Sequence, residues 1–457
     1  MNESIPHGKE RLKKGEWIMR QFQGGYPDDY DVVVAGGGPA GIAAAVSAAR
    51  LGARTALVER YGILGGMLTS GHVQPILGSV QEYTFYHEVV ELLEAGHEVR
   101  PVRTRNGREV AVDVEEAKHR LLKLCLESGV YVYLQTPVVD AVMEGKRVCG
   151  VRIGTPAGIR ALTGRAVVDA TGDGFVAAMA GVPFAAGRES DGKCQPASLE
   201  FTVENVDQAS RFACYGGSDP VLLPDGRRYS LVCREACERG ELPPNVSIVR
   251  IHATLQPGER NINATQVNGR DTLSVEGSVE AEYLLREQIP AVVGFLRKYA
   301  PGFENCRVKS SASTLGVRES RRFAGDYVLS DRDVEQGARF EDVVVHRAWF
   351  LIDIHNPSGG GQAEGHSQPA QPYDIPYRSL LPRGAEGLLL SGRNISGTHR
   401  AHASYRVMGI AMPVGQAAGT AAALCARHGC TPRELDFHIV QQALAAAGCR
   451  LFDGRDG

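Results

Sequence analysis

The first strong pattern in the chain is a change of period near its start. From Asp31, residues 32–35 form an unbroken apolar run of the kind shown by a strand covered on both faces, and the run stops at Gly36. An Ala-rich stretch ending near Gly52 predicts a helix, and residues 54–58 predict a second strand. Residues 114–127 predict a further helix. Between residues 130 and 170, short Val-rich runs broken at 143–146 and 156–158 predict a three-stranded meander. Strand-like runs recur at 198–203, 246–253 and 343–354, and residues 275–299 predict a long helix broken at Pro290. A strand-to-turn edge at 387–393 precedes a small-residue helix, 413–427, with Pro413 in its first turn. From Thr431, the order Thr-Pro-Arg-Glu has the form of a capping box and predicts a closing helix. No internal repeat interrupts this order.

Composition narrows the class. Hydrophobic residues at 43% and charged residues at 23% are ordinary for a globular chain and exclude whole-chain disorder, collagen and coiled coil. A net charge of −3 offers no footprint for a phosphate backbone, so nucleic acid is not an expected partner. The longest apolar candidate, 411–425, is interrupted by Pro413, Gly415, Gln416 and Gly419, so no membrane span is expected. Met1-Asn2-Glu3-Ser4 opens a mixed-charge start without an apolar run, and the expected location is cytoplasmic. The 10 cysteines show neither a CxxC pair nor metal-ligand spacing, which fits a reduced compartment and predicts no metal site. Cys233 and Cys237 lie one helical turn apart and read as a plain helix face.

The chemistry-bearing motif is Gly36-Gly37-Gly38-Pro39-Ala40-Gly41, placed between the first strand and its helix. Gly36 permits the tight turn, Gly38 lets backbone reach a pyrophosphate, and Gly41 lets helix and strand close, with free amides at the helix start. The second strand ends in Glu59, placed to take ribose hydroxyls and repel a 2′-phosphate. These residues specify a dinucleotide site, with NAD and FAD both open. Gly65-Gly66-Met67 would let backbone pass under a flat ring, and Asp169-Ala170-Thr171-Gly172-Asp173-Gly174 and Ser391-Gly392-Arg393 are two more strand-to-turn edges.

Together with GVRESRR at 316–322, IDIH at 352–355, IPYRSLLP at 375–382 and SGRNISGTHRAHASYRVM at 391–408 running into GQAAGTAAAL, this set resembles the bacterial FAD-dependent oxidoreductase family of the glutathione-reductase-like flavoprotein superfamily. The resemblance covers nearly the whole chain from Asp31. It implies an α/β fold with a Rossmann-type FAD-binding domain built from discontinuous segments, 29–186 and 373–430. A sheet-plus-helix substrate or cap domain at 187–372, an N-terminal extension at 1–28 and a closing helix at 431–457 complete the expected organisation. It also implies FAD, noncovalent by default, contacted at Gly36, Gly38, Pro39, Ala40, Gly41, Glu59, Arg60, Gly65, Gly66, Met67, Ala170, Gly172, Asp173, Gly392, Arg393, Val414, Gly415 and Gln416. Where many relatives carry Gly-Asp at the late edge, this chain has Gly392-Arg393.

Missing motifs restrict how electrons move. There is no Cys-x4-Cys after Gly65-Gly66, no second GxGxxG and no CxxCH, so the flavin itself must exchange hydride with the substrate. Such a step needs a proton acceptor, and histidine suits neutral pH. His399, His402 and His355 are the candidates, with His72 also near the expected flavin face. Arg318, Arg400 and Arg406 are candidates to bind an anionic substrate group or the reduced flavin, with Arg321, Arg322 and Glu319 adjoining. A Gly-rich loop, 358–365, and its neighbour His366 read as a lid or as an inert surface loop. The expected activity is hydride transfer from a small polar substrate (an alcohol, sugar, amine or acid), with oxygen or a protein as electron acceptor. Two alternatives stand: an NAD(P)H-consuming flavin monooxygenase or reductase, and a non-catalytic flavin-binding subunit. A second copy of the chain is also left open as a partner.

Overall fold

In a computed structural model, the chain is described over residues 22–95, 109–365 and 367–452. Most of the expected N-terminal extension, and His366, lie outside the described residues. The predicted strand and helix at the start form as β1 (Asp29–Ala35) and α1 (Pro39–Arg50), followed by β2 (Thr55–Val58). Then come α2 (Val114–Glu127), β3 (Tyr131–Tyr133) and the meander of β4 (Val138–Glu144), β5 (Arg147–Thr155) and β6 (Gly158–Asp169). The main sheet runs β3-β2-β1-β6-β5-β4, and the strand Leu388–Leu390 also pairs with β6.

β6 belongs to three ladders. Its first half pairs antiparallel with β5, Thr155 opposite Gly158, and its second half lies parallel to β1, Ala35 opposite Asp169. Leu390 is also opposite Asp169, while Val58 is opposite both Ala35 and Tyr133. The parallel strands therefore end in register, and the turns at Gly36, Glu59, Ala170 and Ser391 leave from one carboxyl edge. In an open parallel sheet, that edge is where ligands bind.

A second hydrophobic cluster, running from Ala197 to Ala312, is separate from the cluster around the main sheet. It is built on β7 (Phe201–Glu204), β8 (Arg250–Ala253), β9 (Arg260–Asn263), α3 (Val275–Tyr299) and β10 (Arg307–Ser311), with strand order β8-β9-β7-β10. Period-2 alternation divides the sheet into two faces. Phe201, Val203, Ile251 and Ile262 are buried with Ala281, Leu285, Val292 and Leu296 of α3. Thr202, Asn261 and His252 stand opposite one another on the other face. The break expected at Pro290 does not occur. Pro290 sits on the exposed side of α3, and the buried face carries the helix past one lost hydrogen bond.

The second cluster is narrower than the block expected at 187–372. β11 (Val343–Trp349) pairs with β12 (Tyr373–Pro376), and both pack into the first cluster. The end of the chain adds β13 (Leu388–Leu390), α4 (His399–Tyr405), α5 (Met408–His428) and α6 (Phe437–Ala446). α5 starts five residues before Pro413, so that proline lies inside the helix and not in its first turn. α5 is long and apolar enough to cross a membrane, but it is buried in the core from Met408 to Ala426. The Thr431 box forms only a turn, in which Thr431 N–H donates to Glu434 Oε2 at 2.8 Å. The closing helix starts later, where Asp436 accepts from His438 N–H and buried Val440 and Leu444 set the apolar face.

Candidate active site

Three glycines make the first turn possible in different ways. A Cβ at Gly36 (φ +96°) would stand 2.4 Å from the Ala170 carbonyl oxygen, and one at Gly41 would stand 1.7 Å from the Gly36 oxygen. These two positions close the turn on β6 and on α1. At Gly38, which precedes Pro39 at the start of α1, the nearest atom to a Cβ is Gly66 Cα at 4.0 Å. Gly38 therefore opens onto space beside a helix N-terminus, where backbone N–H groups and the helix dipole favour a phosphate. Gly65 N–H donates to Gly37 O at 2.8 Å and fixes the Gly65-Gly66 turn against this loop.

Glu59 is buried, with Oε2 accepting from Gly37 N–H at 2.6 Å and Oε1 from Tyr61 N–H at 2.8 Å. Burial pushes its carboxyl up and these backbone bonds oppose that. Each carboxylate oxygen keeps a lone pair for a ribose hydroxyl. Arg60 beside it is exposed, its guanidinium 4.7 Å from the Tyr61 ring centre. Met67 lies in the short turn Gly66–Leu68 and fills the space a Cβ at Gly71 would take.

The late edge is stitched to the Asp169 turn. Ser391 N–H and Asn394 Nδ2 both donate to the Asp169 carbonyl, each at 3.0 Å. Arg393 forms an ion pair with Asp173, which also accepts from Ser320 Oγ at 2.7 Å. Burial raises the Asp173 carboxyl, but Arg393 and Ser320 outweigh it and hold the group below the usual carboxylate range. Gly172 (φ +80°) leaves room for this pair, since a Cβ there would meet Arg393 Nη1 at 2.8 Å.

A buried polar cluster lies where the two hydrophobic clusters meet. Asn261 Nδ2 donates to the His72 carbonyl at 2.9 Å and Gln74 Nε2 to Thr202 Oγ1 at 2.7 Å, so the polar face of the second sheet rests on the segment after the Gly65-Gly66 turn. Arg406 Nη2 donates to the Asp353 carbonyl at 2.9 Å and lies 3.2 Å from Asp353 Oδ2, and His355 Nε2 is 3.3 Å from the same Oδ2. Arg318 Nη1 donates to the Pro196 carbonyl at 2.9 Å and to Ser198 Oγ. A second network joins His399 Nδ1 to Glu319 Oε1 at 2.8 Å, with Arg322 paired to the same oxygen.

Electrostatics drives these groups apart. Burial and the Arg318 charge push His355 down to about 3, leaving it neutral. Burial, then Arg406, Arg322, Arg393 and His399, hold His402 well below its ordinary value. Burial also raises Asp353, but His355 and Arg406 hold it well below the carboxylate range. Glu200, two residues before Thr202 and on the same face, is pushed up to about 7 by burial despite His252 and Arg318. Two carboxyls of opposite character in one buried cluster are a signature of acid–base assignment.

The family model for FAD dependent oxidoreductases matches residues 31–444. The chain belongs to the FAD dependent oxidoreductase family. FAD is accordingly its cofactor. Among curated proteins, it is 31% identical over 158 residues to a tRNA uridine 5-carboxymethylaminomethyl modification enzyme MnmG of Aquifex aeolicus (strain VF5), covering 32% of this chain and 25% of that protein. It is 37% identical over 83 residues to the mitochondrial dihydrolipoyl dehydrogenase 2 of Arabidopsis thaliana, covering 18% and 16%. The chain thus matches a quarter or less of these relatives' length. Among solved structures, the p-nitrophenol 4-monooxygenase PnpA from Pseudomonas putida DLL-E4 aligns with a TM-score of 0.48 and 13% identity, over 92% of this chain and 84% of that one.

The cradle fits FAD: Gly38 opens beside the α1 N-terminus, Glu59 beside it keeps lone pairs for hydroxyl groups, and Arg393 Nε and His402 Nδ1 are buried without partners. Some of the expected contacts also pack against protein. With α5 beginning at Met408, the residues Val414, Gly415 and Gln416 lie more than a turn inside the helix. A Cβ at Gly415 would stand 2.0 Å from the Ala40 carbonyl oxygen, and Gln416 Oε1 accepts from Phe85 N–H at 2.9 Å, so these residues bind other helices. Gly392 (φ +82°) faces Ala40 at 3.1 Å from a would-be Cβ and joins the same packing.

Of the expected catalytic residues, His355 and Arg406 meet at Asp353, Arg318 acts on His355 through its charge while bonding Pro196 and Ser198, and His399 and His402 adjoin them. Arg400 does not. It pairs with Glu335 at 2.8 Å and with Glu364 on the outer side of α4, because 399, 402 and 406 share one helix face and 400 points away. The Gly-rich loop 358–365, expected as a lid or an inert loop, is anchored where Gln266 Nε2 donates to Gly360 O at 3.1 Å, and just before it Asn268 Nδ2 donates to Asn356 O at 2.9 Å. Sequence reading missed Glu200, Arg250, His252 and Asn261. Their signal was polar residues alternating with Leu199, Phe201, Ile251 and Ile262, visible once the strands are paired.

Proposed function

We propose that the protein is a dehydrogenase or oxidase that takes a hydride from a small polar substrate onto noncovalently held FAD, with oxygen or a protein as final acceptor. Bound FAD supplies an acceptor for hydride at N5. The observation that carries the reading is the buried His/Arg/carboxyl cluster, closed by residues from both hydrophobic clusters, at the carboxyl edge of the dinucleotide sheet. These groups are largely buried, so charge interactions among them act more strongly than in water. His402 is held neutral and its Nδ1 is unengaged, so it can hydrogen-bond a substrate O–H or N–H and orient it. Glu319 orients His399, as a second carboxyl-to-imidazole contact orients His355 on Asp353. Arg318 and Arg406 orient the substrate, and the block around the second cluster acts as the cap.

The test is the visible absorbance of the purified protein under anaerobic conditions, before and after NADH or NADPH. A bound flavin that stays oxidised with both nicotinamides and bleaches with an alcohol, sugar, amine or acid is the expected result. Prompt bleaching by either nicotinamide would replace this reading with a monooxygenase or reductase.

A further inference from the structure

The charges in the polar cluster do not balance. Arg250, Arg318 and Arg406 all act on it, against Asp353, which is held well below the carboxylate range, and Glu200, which burial pushes up to about 7. Arg318 is pushed down to about 9 by burial and by its cationic neighbours Arg406 and Arg250, which is what an uncompensated positive site does to its members. Asp353 is already engaged by Arg406, His355, Gln362 and Ser367. Arg250 donates no hydrogen bond among the described residues. Gln195 Nε2, Asn261 Oδ1 and Arg406 Nε are buried around the cluster and also lack partners. Buried polar atoms of this kind are costly unless something else satisfies them.

Strand pairing explains why Arg250 faces inward. Arg250 is opposite Asn263 and His252 opposite Asn261, so both project from the polar face that lies on residues 72–74. Arg318 reaches the same face from the strand bridge between Ser198 and Gly316. Two guanidinium groups thus approach one space from different elements, and the planar fork of each suits a carboxylate.

Resting on the hydride-transfer reading above, we propose that the substrate is a small carboxylic acid whose carboxylate is held between Arg250 and Arg318 against the polar face of the second sheet. Its hydride-bearing carbon then lies toward the Gly65-Gly66 turn, and neutral molecules of the same shape bind poorly because they leave half-buried Arg250 without an anionic partner and do nothing to offset the clustered positive charge.

The experiment uses the full-length holoprotein in chloride-free buffer. Acetate, lactate, succinate and benzoate are each titrated beside the matching amide, with calorimetric heat and flavin absorbance read together. At least one carboxylate should bind ten times or more tighter than its amide, Arg250→Met should weaken it at least tenfold, and Arg250→Lys should recover part of the loss, all at unchanged flavin content. Equal affinity for acids and amides, or parental affinity in Arg250→Met, overturns the proposal while leaving the oxidoreductase reading intact. A protein that takes up no flavin sinks that reading, and the calorimetric arm still decides whether the carboxylate site exists. Arg318→Lys gives a second variant should Arg250→Met not fold.

Discussion

At the residue scale, the two glycines Gly38 and Gly41 separate binding from folding. Gly38 has an extended backbone (φ −74°, ψ −177°) that alanine adopts freely, and a methyl group there meets no protein atom closer than 4.0 Å. It would enter the space that a pyrophosphate bound at the α1 N-terminus needs. Gly38→Ala should therefore unfold at the parental denaturant midpoint yet retain much less FAD after gel filtration. Gly41→Ala places a methyl carbon 1.7 Å from a carbonyl oxygen and forces α1 off β1, which costs about 1–3 kcal/mol or more. The measurement is flavin content against urea midpoint for both variants. Full FAD retention in Gly38→Ala would remove the pyrophosphate from this turn. The close packing at Gly41 was legible in the motif itself, because it follows from that glycine's place between strand and helix.

At the element scale, α4 separates a reactive face from an outer one. His399 and His402 point inward, buried at 4% and 1% exposure, while Arg400 meets Glu335 and Glu364 outside. His399→Ala should keep its flavin and slow flavin reduction by substrate at least tenfold. Arg400→Ala should match the parent within a factor of two, since exposed ion pairs contribute little. Stopped-flow absorbance under anaerobic conditions reads both, and a parental rate in His399→Ala would remove that residue from the chemistry. This division was not legible along the chain, where all of SGTHRAHASYR looks equally polar. It depends on where α4 starts, and Thr398 sets that by capping Ala401 N–H. The same cause shifted α5: Pro413 is a frequent first-turn residue, but complete burial carried the helix past it, so the sequence pattern misplaced the positive end. Parallel strands, by contrast, were legible because their apolar runs are continuous and end in glycine turns. The polar face of the second sheet was hidden because its rungs join residues far apart in the chain, Thr202 to Asn261 to His252.

At the scale of the whole molecule, folding buries Glu200 and His355 in one space, and the two titrate in opposite senses. His355 falls from 6.5 to about 3, so acidification protonates it in the unfolded chain first and stability is lost as pH falls below 6.5. Glu200 rises from 4.5 to about 7, so the folded chain holds a proton that the unfolded chain has released. Its contribution is unfavourable above pH 7 and shrinks as pH falls toward 4.5, which partly offsets the loss at His355. Glu200→Gln deletes one of these terms and leaves the other. Relative to the parent, the variant should gain about 2 kcal/mol more at pH 8 than at pH 5, as integrating the Glu200 shift over that range gives. Urea unfolding of both proteins at the two pH values measures it. A stability difference that does not change with pH would show that Glu200 is ionised in the folded protein, neutralised by Arg250 and Arg318. Those guanidinium groups would then already have a partner, which makes the same titration an independent check on whether they are free to hold a substrate carboxylate.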